Sequence, residues 1–198
     1  MSSRQHIAIA GAGPVGAVAA LALQQRGFSV TIIDRIKPMP GPHGLGMDIR
    51  NVALSQGSRQ LIESLIPWPQ QAGIFKTMHV WEQWGVNALH FDAAELGSDC
   101  LGWIAEVAPL LQALWQQLEA NADIRVVLGD IQAVESSATG VMVTVAEETL
   151  QADFLFAADG ARSAVRNRIG IGGESTTTKT RPPVRAEIMT CARTTTHT

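Results

Sequence analysis

Residues 6–16 read His6-Ile7-Ala8-Ile9-Ala10-Gly11-Ala12-Gly13-Pro14-Val15-Gly16, an apolar run ending in glycines spaced G-x-G-x-x-G. His6–Ala10 predicts a short buried strand. The Ala- and Leu-rich stretch from Pro14 to Arg26 predicts a helix, ended by Gly27 where a left-handed residue is wanted. Ser29–Asp34 (SVTIID) is a second strand, so the chain opens as a βαβ unit. Each glycine has its own reason: Gly11 permits the tight turn, Gly13 lets a pyrophosphate approach the backbone, and Gly16 lets helix and strand pack closely. The helix start then offers N–H groups and a partial positive charge to an anion. Asp34 ends the second strand, 18 residues beyond Gly16, where it can accept hydrogen bonds from ribose hydroxyls. Gly11, Gly13, Pro14, Val15, Gly16 and Asp34 are therefore candidate dinucleotide-binding residues.

Working outward, the 198 residues suit one domain of ordinary size, or one with a small annex. A content of 46% hydrophobic and 17% charged residues can build a core. The net charge of -3, without any Lys/Arg run, argues against a nucleic-acid partner. Cys100 and Cys191 lie far apart without metal-ligand spacing, so neither a disulfide framework nor a zinc site is expected, and a reducing cytoplasm is the default. The histidines form no HxxxH pair and read as surface or turn residues; no metal site is expected. Arg4 and the apolar run after it superficially resemble a signal peptide, but the glycines interrupt the run and no cleavage site follows. No segment supplies the roughly 20 apolar residues a membrane helix needs.

Further along, Lys37–Gly46 holds three prolines and three glycines and reads as a loop. Ala53–Leu65 looks helical. Ile74–Trp84 and Asn87–Asp92 look like strands of a different sheet. Val107–Ala120 carries Leu110, Leu111, Leu114 and Leu118 at helical spacing. Short strands are expected at Ile124–Leu128, Ile131–Val134 and Val141–Val145, and Phe154–Ala157 reads as a last buried strand leading into Ala158-Asp159-Gly160. Trp81, Trp84, Trp103 and Trp115 read as core. Residues 172–198 differ in kind, with nine threonines and Pro182-Pro183. Residues 1–171 carry 11 basic and 16 acidic groups, the remainder 4 and 2. A stretch so poor in apolar periodicity is expected to be disordered.

The glycine fingerprint suits FAD and NAD alike. The segment Ala157-Ala158-Asp159-Gly160-Ala161-Arg162-Ser163-Ala164-Val165-Arg166 resembles the ADG-x-x-S-x-x-R stretch of the flavoprotein aromatic hydroxylases, the group of para-hydroxybenzoate hydroxylase. Taken alone it could be a turn before an amphipathic helix. In the family, that Asp-Gly turn lies near the FAD pyrophosphate, which implies cofactor contacts for Asp159 and Gly160. Asp48-Ile49-Arg50-Asn51-Val52-Ala53-Leu54-Ser55 resembles the arginine-bearing segment over the FAD, which implies a contact for Arg50. Arg35, beside Asp34, would neighbour the adenosine half. Either arginine could equally be an ordinary surface residue.

The pattern DIR-x-x-ALS-x-GS and Leu101–Glu106 before a helix look most like the ubiquinone-biosynthesis hydroxylases, although Val107-Ala108-Pro109 departs from that branch. The resemblance implies an α/β fold: a Rossmann-like FAD-binding βαβ domain over residues 1–171, with part of a second, substrate-domain sheet at about 74–104. It implies an FAD-dependent monooxygenase that hydroxylates an aromatic or prenylated quinol substrate with NAD(P)H and O2. By resemblance alone, peripheral association with the inner membrane or with a ubiquinone-biosynthesis complex is open. No side chain reads as a catalytic acid, base or nucleophile. Members run to about twice this length and carry a second Gly-Asp motif, so a truncated, inactive form is expected. The alternatives are a noncatalytic dinucleotide-binding fragment or module, and an FAD-dependent reductase of the same fold.

Overall fold

The computed structural model describes residues 4–38, 50–82, 88–171 and 184–190. The chain begins with β1 (His6–Ala10), α1 (Pro14–Gln25) and β2 (Ser29–Asp34), the expected βαβ unit. Next come β3 (Asn51–Leu54), α2 (Gln56–Glu63), β4 (Gly73–Glu82), β5 (Ala88–Asp92) and a single 3-10 turn at Ala94–Leu96. Then follow β6 (Gly102–Glu106), α3 (Val107–Ala120), β7 (Ile124–Leu128), β8 (Ile131–Ser137), β9 (Gly140–Val145) and β10 (Glu148–Ala152). β11 (Phe154–Ala157), α4 (Ala164–Arg168) and β12 (Val184–Thr190) complete the described elements.

Three sheets result. The central one is parallel, in the order β11-β1-β2-β7. Its two faces explain the alternation in β1 and β2. Ile7, Ile9, Val30 and Ile32 pack with Leu21 of α1 and Leu110, Leu114 and Leu118 of α3. Ala8, Ala10 and Ile33 face the other way, onto Val141, Val143 and Val145 of the antiparallel β10-β9-β8 sheet. Covering both faces is what makes the strands near-continuously apolar. The fully buried Ile9 and Ile32 each stabilise the fold by about 1.5–3 kcal/mol. The third sheet has the order β12-β4-β6-β3, with β5 also paired to β4.

Several expectations need correction. The Ala53–Leu65 helix is shorter, because Asn51–Leu54 pairs antiparallel with β6 and Ser55 caps the helix after it. The Ser55 Oγ accepts from the Ser58 N–H at 3.3 Å, filling one of the donors a helix start leaves open. β10 was not anticipated: ETLQA has only Leu150 and Ala152 buried, and the hairpin with β9 rather than its hydrophobicity defines it. β11 is an edge strand, not a buried one, with Phe154 58% and Phe156 44% exposed. Within the stretch expected to be disordered, Val184–Thr190 pairs antiparallel with β4, so for these residues the expectation fails. VRAEIMT has apolar residues at alternate positions, a strand period that the surrounding threonines mask. The rest of 172–198, most of the Lys37–Gly46 loop, Asp48, Ile49 and Trp84 lie outside the described residues.

The tryptophan expectation fits at two of the three positions that can be checked, and fails at Trp81, which is only half-buried at the surface of β4. Trp103 and Trp115 are buried. Trp103 meets Trp68 edge-on at 6.2 Å, and the Arg59 guanidinium lies 4.4 Å from the Trp103 ring centre, joining α2 to β6. His6 is no loose surface group. Its ring nitrogens lie 2.8 Å from the Gln151 carbonyl and 2.8 Å from the Thr31 hydroxyl, tying β1 to β10 and β2.

Candidate functional site

All four parallel strands end at one edge of the central sheet, and the residue after each end lines a single cleft of about 880 Å³. β1 runs into Gly11, β2 into Arg35, β7 into Gly129-Asp130, and β11 into Ala158-Asp159. The crevice beyond the carboxyl ends of parallel strands is where such folds take ligands. α1 points its N-terminus here with Pro14 in its first turn and no side-chain cap, whereas Ser55 and Ser163 cap α2 and α4. Its first amide donors thus remain without intrahelical partners, and its positive end is uncompensated by any acid in the first turn.

The three glycines of the turn differ in what makes them necessary. Gly11 has φ +93°, and a Cβ there would stand 2.5 Å from the Ala158 carbonyl oxygen. At Gly16 a Cβ would stand 1.9 Å from the Gly11 carbonyl oxygen. Those two are dictated by the chain's own packing. Gly13 has φ -66° and ψ -178°, open to any residue, and a Cβ there would meet no atom within 4 Å. Nothing inside the protein requires glycine at this position. The space left on the cleft side fits the close approach of a ligand backbone such as a pyrophosphate.

Two aspartates frame the cleft. Asp34 accepts from the Ala12 N–H at 2.6 Å and from the Arg35 N–H at 2.6 Å, locking the glycine turn to the end of β2. Asp159 accepts from the Ala164 N–H at 2.6 Å and the Val165 N–H at 3.1 Å, while its other oxygen is buried without a hydrogen-bond partner among the described residues. Burial pushes the Asp159 carboxyl up, but the Ser163 hydroxyl and the Val165 and Ala164 amides outweigh it and hold it below the usual 3.8. A lowered value means that the stability Asp159 confers is complete above the ordinary carboxylate range and is lost as pH falls through its folded-state value. Asp159→Asn is expected to flatten the acid limb of a stability-against-pH curve below about pH 4. An unchanged limb would show that the bonds from the Ala164 and Val165 amides do not favour the ionised Asp159 carboxylate.

Trp115 belongs to this site, although the sequence marked it only as core. It is 3% exposed, and its Nε1–H donates to the Ala12 carbonyl at 2.9 Å, holding the glycine turn from α3. Trp115→Phe leaves that buried acceptor unpaired and is expected to cost about 1–3 kcal/mol in urea unfolding. An unshifted midpoint would contradict the assigned tether.

The structure brings Gly11, Gly13, Pro14, Val15, Asp34, Arg35, Asp159 and Gly160 to the cleft wall. Gly16 sits behind it as a packing residue, and Arg50, just before β3, does not line it; the Arg50 carbonyl accepts from the Val107 N–H at 3.0 Å. Asp130 and Arg162 line the cleft too. Asp130 was not singled out in the sequence; its position two residues past the end of a parallel strand is the signal that could have found it. Among the described residues no group of three or more His, Cys, Asp or Glu could hold a metal ion.

Comparison with known proteins agrees with this geometry. The FAD binding domain family matches residues 4–95 and 105–194, beyond the boundary at 171 read from composition. The 3-demethoxyubiquinol 3-hydroxylase of Escherichia coli (strain K12) is 36% identical over 173 residues, 84% of this chain and 44% of that protein. The mitochondrial ubiquinone biosynthesis monooxygenase COQ6 of Mus musculus is 34% identical over 134 residues, 60% of this chain and 28% of that protein. The chain thus spans less than half the length of these relatives. In fold it is similar to p-nitrophenol 4-monooxygenase PnpA of Pseudomonas putida, with a TM-score of 0.62 at 19% identity over 86% of this chain and 44% of that one. The glycine turn, the acid closing β2, the Asp-Gly turn and the extent of the match agree: the chain belongs to the FAD binding domain family.

Proposed function

We propose that this chain carries the FAD site of a monooxygenase that hydroxylates an aromatic or quinol ring with NAD(P)H and O2, in ubiquinone biosynthesis. The observation that carries the reading is Gly13, a glycine that the protein's own packing does not require, at the uncapped start of α1. FAD supplies the redox and oxygen-transfer chemistry when bound. The chain's residues bind and orient it. The first-turn amides of α1 donate to the pyrophosphate, the Asp34 carboxylate accepts from ribose hydroxyls, and Arg35 adds charge at the adenosine end. Asp159 and Gly160 line the same cleft. Arg50 is assigned a cofactor contact by resemblance only, outside this cleft.

Hydroxylation itself is not assigned to this chain alone. Phe154 and Phe156 are exposed on β11, whose outer edge pairs with no strand among the described residues. An open edge bearing exposed phenyl rings calls for further structure. The 198-residue chain is therefore expected to bind FAD saturably but weakly, and not to oxidise NAD(P)H in the presence of phenols. Equilibrium titration with FAD followed by desalting tests both parts. Absence of saturable binding would sink the cofactor assignment; flavin retained stoichiometrically through desalting would sink the expectation of weakness. No helix among the described residues is long and apolar enough to cross a membrane. Attachment to a membrane surface or to a biosynthetic complex rests on the relatives' pathway alone.

The second reading, a noncatalytic dinucleotide-binding module, is favoured by one observation. The cleft is lined by the glycine turn, the strand ends and the Asp-Gly turn, and no histidine or cysteine is among its described lining residues. Saturable FAD binding that persists without turnover, even when the remainder of a homologous hydroxylase is supplied as a second chain, would favour this module.

A further inference from the structure

His79 on β4 and His90 on β5 are register partners across an antiparallel ladder, both exposed, with ring centres 4.2 Å apart and planes at 72°. They lie in the third sheet, and neither lines the cleft above. Two imidazoles that share one ion at about 2.1 Å each have nitrogens roughly 3.0–3.4 Å apart, within a side-chain rotation of the observed placement. Two neighbouring register positions are acidic. Asp92 shares the β5 face with His90, and Glu187 is the register partner of His79 on β12. The nearest cationic position on β12 is Arg185, opposite Trp81.

We propose that His79 and His90 form a surface site for a divalent transition-metal ion of the Zn²⁺, Ni²⁺ and Cu²⁺ class. No third His, Cys, Asp or Glu among the described residues completes the set, so water fills the remaining positions. Imidazole selects these ions over Mg²⁺ and Ca²⁺, with Cu²⁺ bound best. A bound ion ties β4 to β5 across the pair, and because bound imidazoles are deprotonated the affinity falls in acid.

The test uses the tag-free 198-residue chain with NiCl2 by calorimetry and CuCl2 by electron paramagnetic resonance, near neutral pH. One equivalent of Ni²⁺ is expected, weakened at least tenfold in His79→Gln and in His90→Gln. The Cu²⁺ spectrum is expected to show two nitrogen ligands in the parent and one in each variant. No Ni²⁺ binding by the parent, or binding undiminished in both variants, would overturn the site. So would a parent Cu²⁺ spectrum with fewer than two nitrogens, a readout that does not depend on the variants folding.

Discussion

Gly13→Val is expected to weaken FAD binding more than tenfold, a loss above about 1.4 kcal/mol, while changing unfolding stability by no more than about 0.5 kcal/mol. The asymmetry follows from what surrounds the residue. Its φ of -66° and ψ of -178° lie in the extended region, which a β-branched residue adopts readily and which the following Pro14 favours. A Cβ there meets no protein atom within 4 Å. The isopropyl group therefore costs the fold little and occupies cleft space at the start of α1, where a bound pyrophosphate would have to approach. FAD titration paired with urea unfolding reads both quantities. Equal binding by variant and parent would remove the argument that Gly13 is glycine for the sake of a ligand.

The same glycine shows what the sequence could and could not reveal. G-x-G-x-x-G after a strand pointed to three glycines with three roles, and the structure separates them: Gly11 and Gly16 by contacts with the chain, Gly13 by the lack of any. Elements with a strong apolar period were legible, and α3 runs over Val107–Ala120 as the leucine spacing implies. Strands defined by pairing rather than by hydrophobicity were not. β10 exists because β9 offers it an edge, and nothing local in ETLQA announces that; the strand period of β12 is present in VRAEIMT but lost among threonines. β11 went wrong in the opposite direction. FLFA looks buried by composition, but burial depends on whether another layer covers its outer side. In the site, Trp115 was invisible as a tether because its role is a single N–H reaching a carbonyl 103 residues away. Long-range hydrogen bonds leave no periodic trace.

Gly16→Ala is expected to produce the reverse of the Gly13 result, losing the fold's stability first and flavin binding as a consequence. The added methyl would stand 1.9 Å from the Gly11 carbonyl oxygen, 3.0 Å from its carbon and 3.3 Å from the Ala158 Cβ. None of these is the end of a flexible side chain. Gly11 is held by its N–H to the Ile33 carbonyl at 2.7 Å, and Ala158 by its N–H to the Ala10 carbonyl at 2.7 Å. Relief therefore requires α1 to move away from β1, opening the packing of Ala17 and Ala20, both buried. Overpacking against backbone costs about 3 kcal/mol, which for a chain of this size lowers Tm by roughly 6–12 °C. Since α1 then no longer aims its N-terminus into the cleft, FAD binding falls with it. Thermal unfolding of Gly13→Val and Gly16→Ala side by side separates a ligand-facing glycine from a packing glycine in one turn. A Gly16→Ala variant melting with the parent would mean that the close approach of α1 to the glycine turn does not hold the fold together.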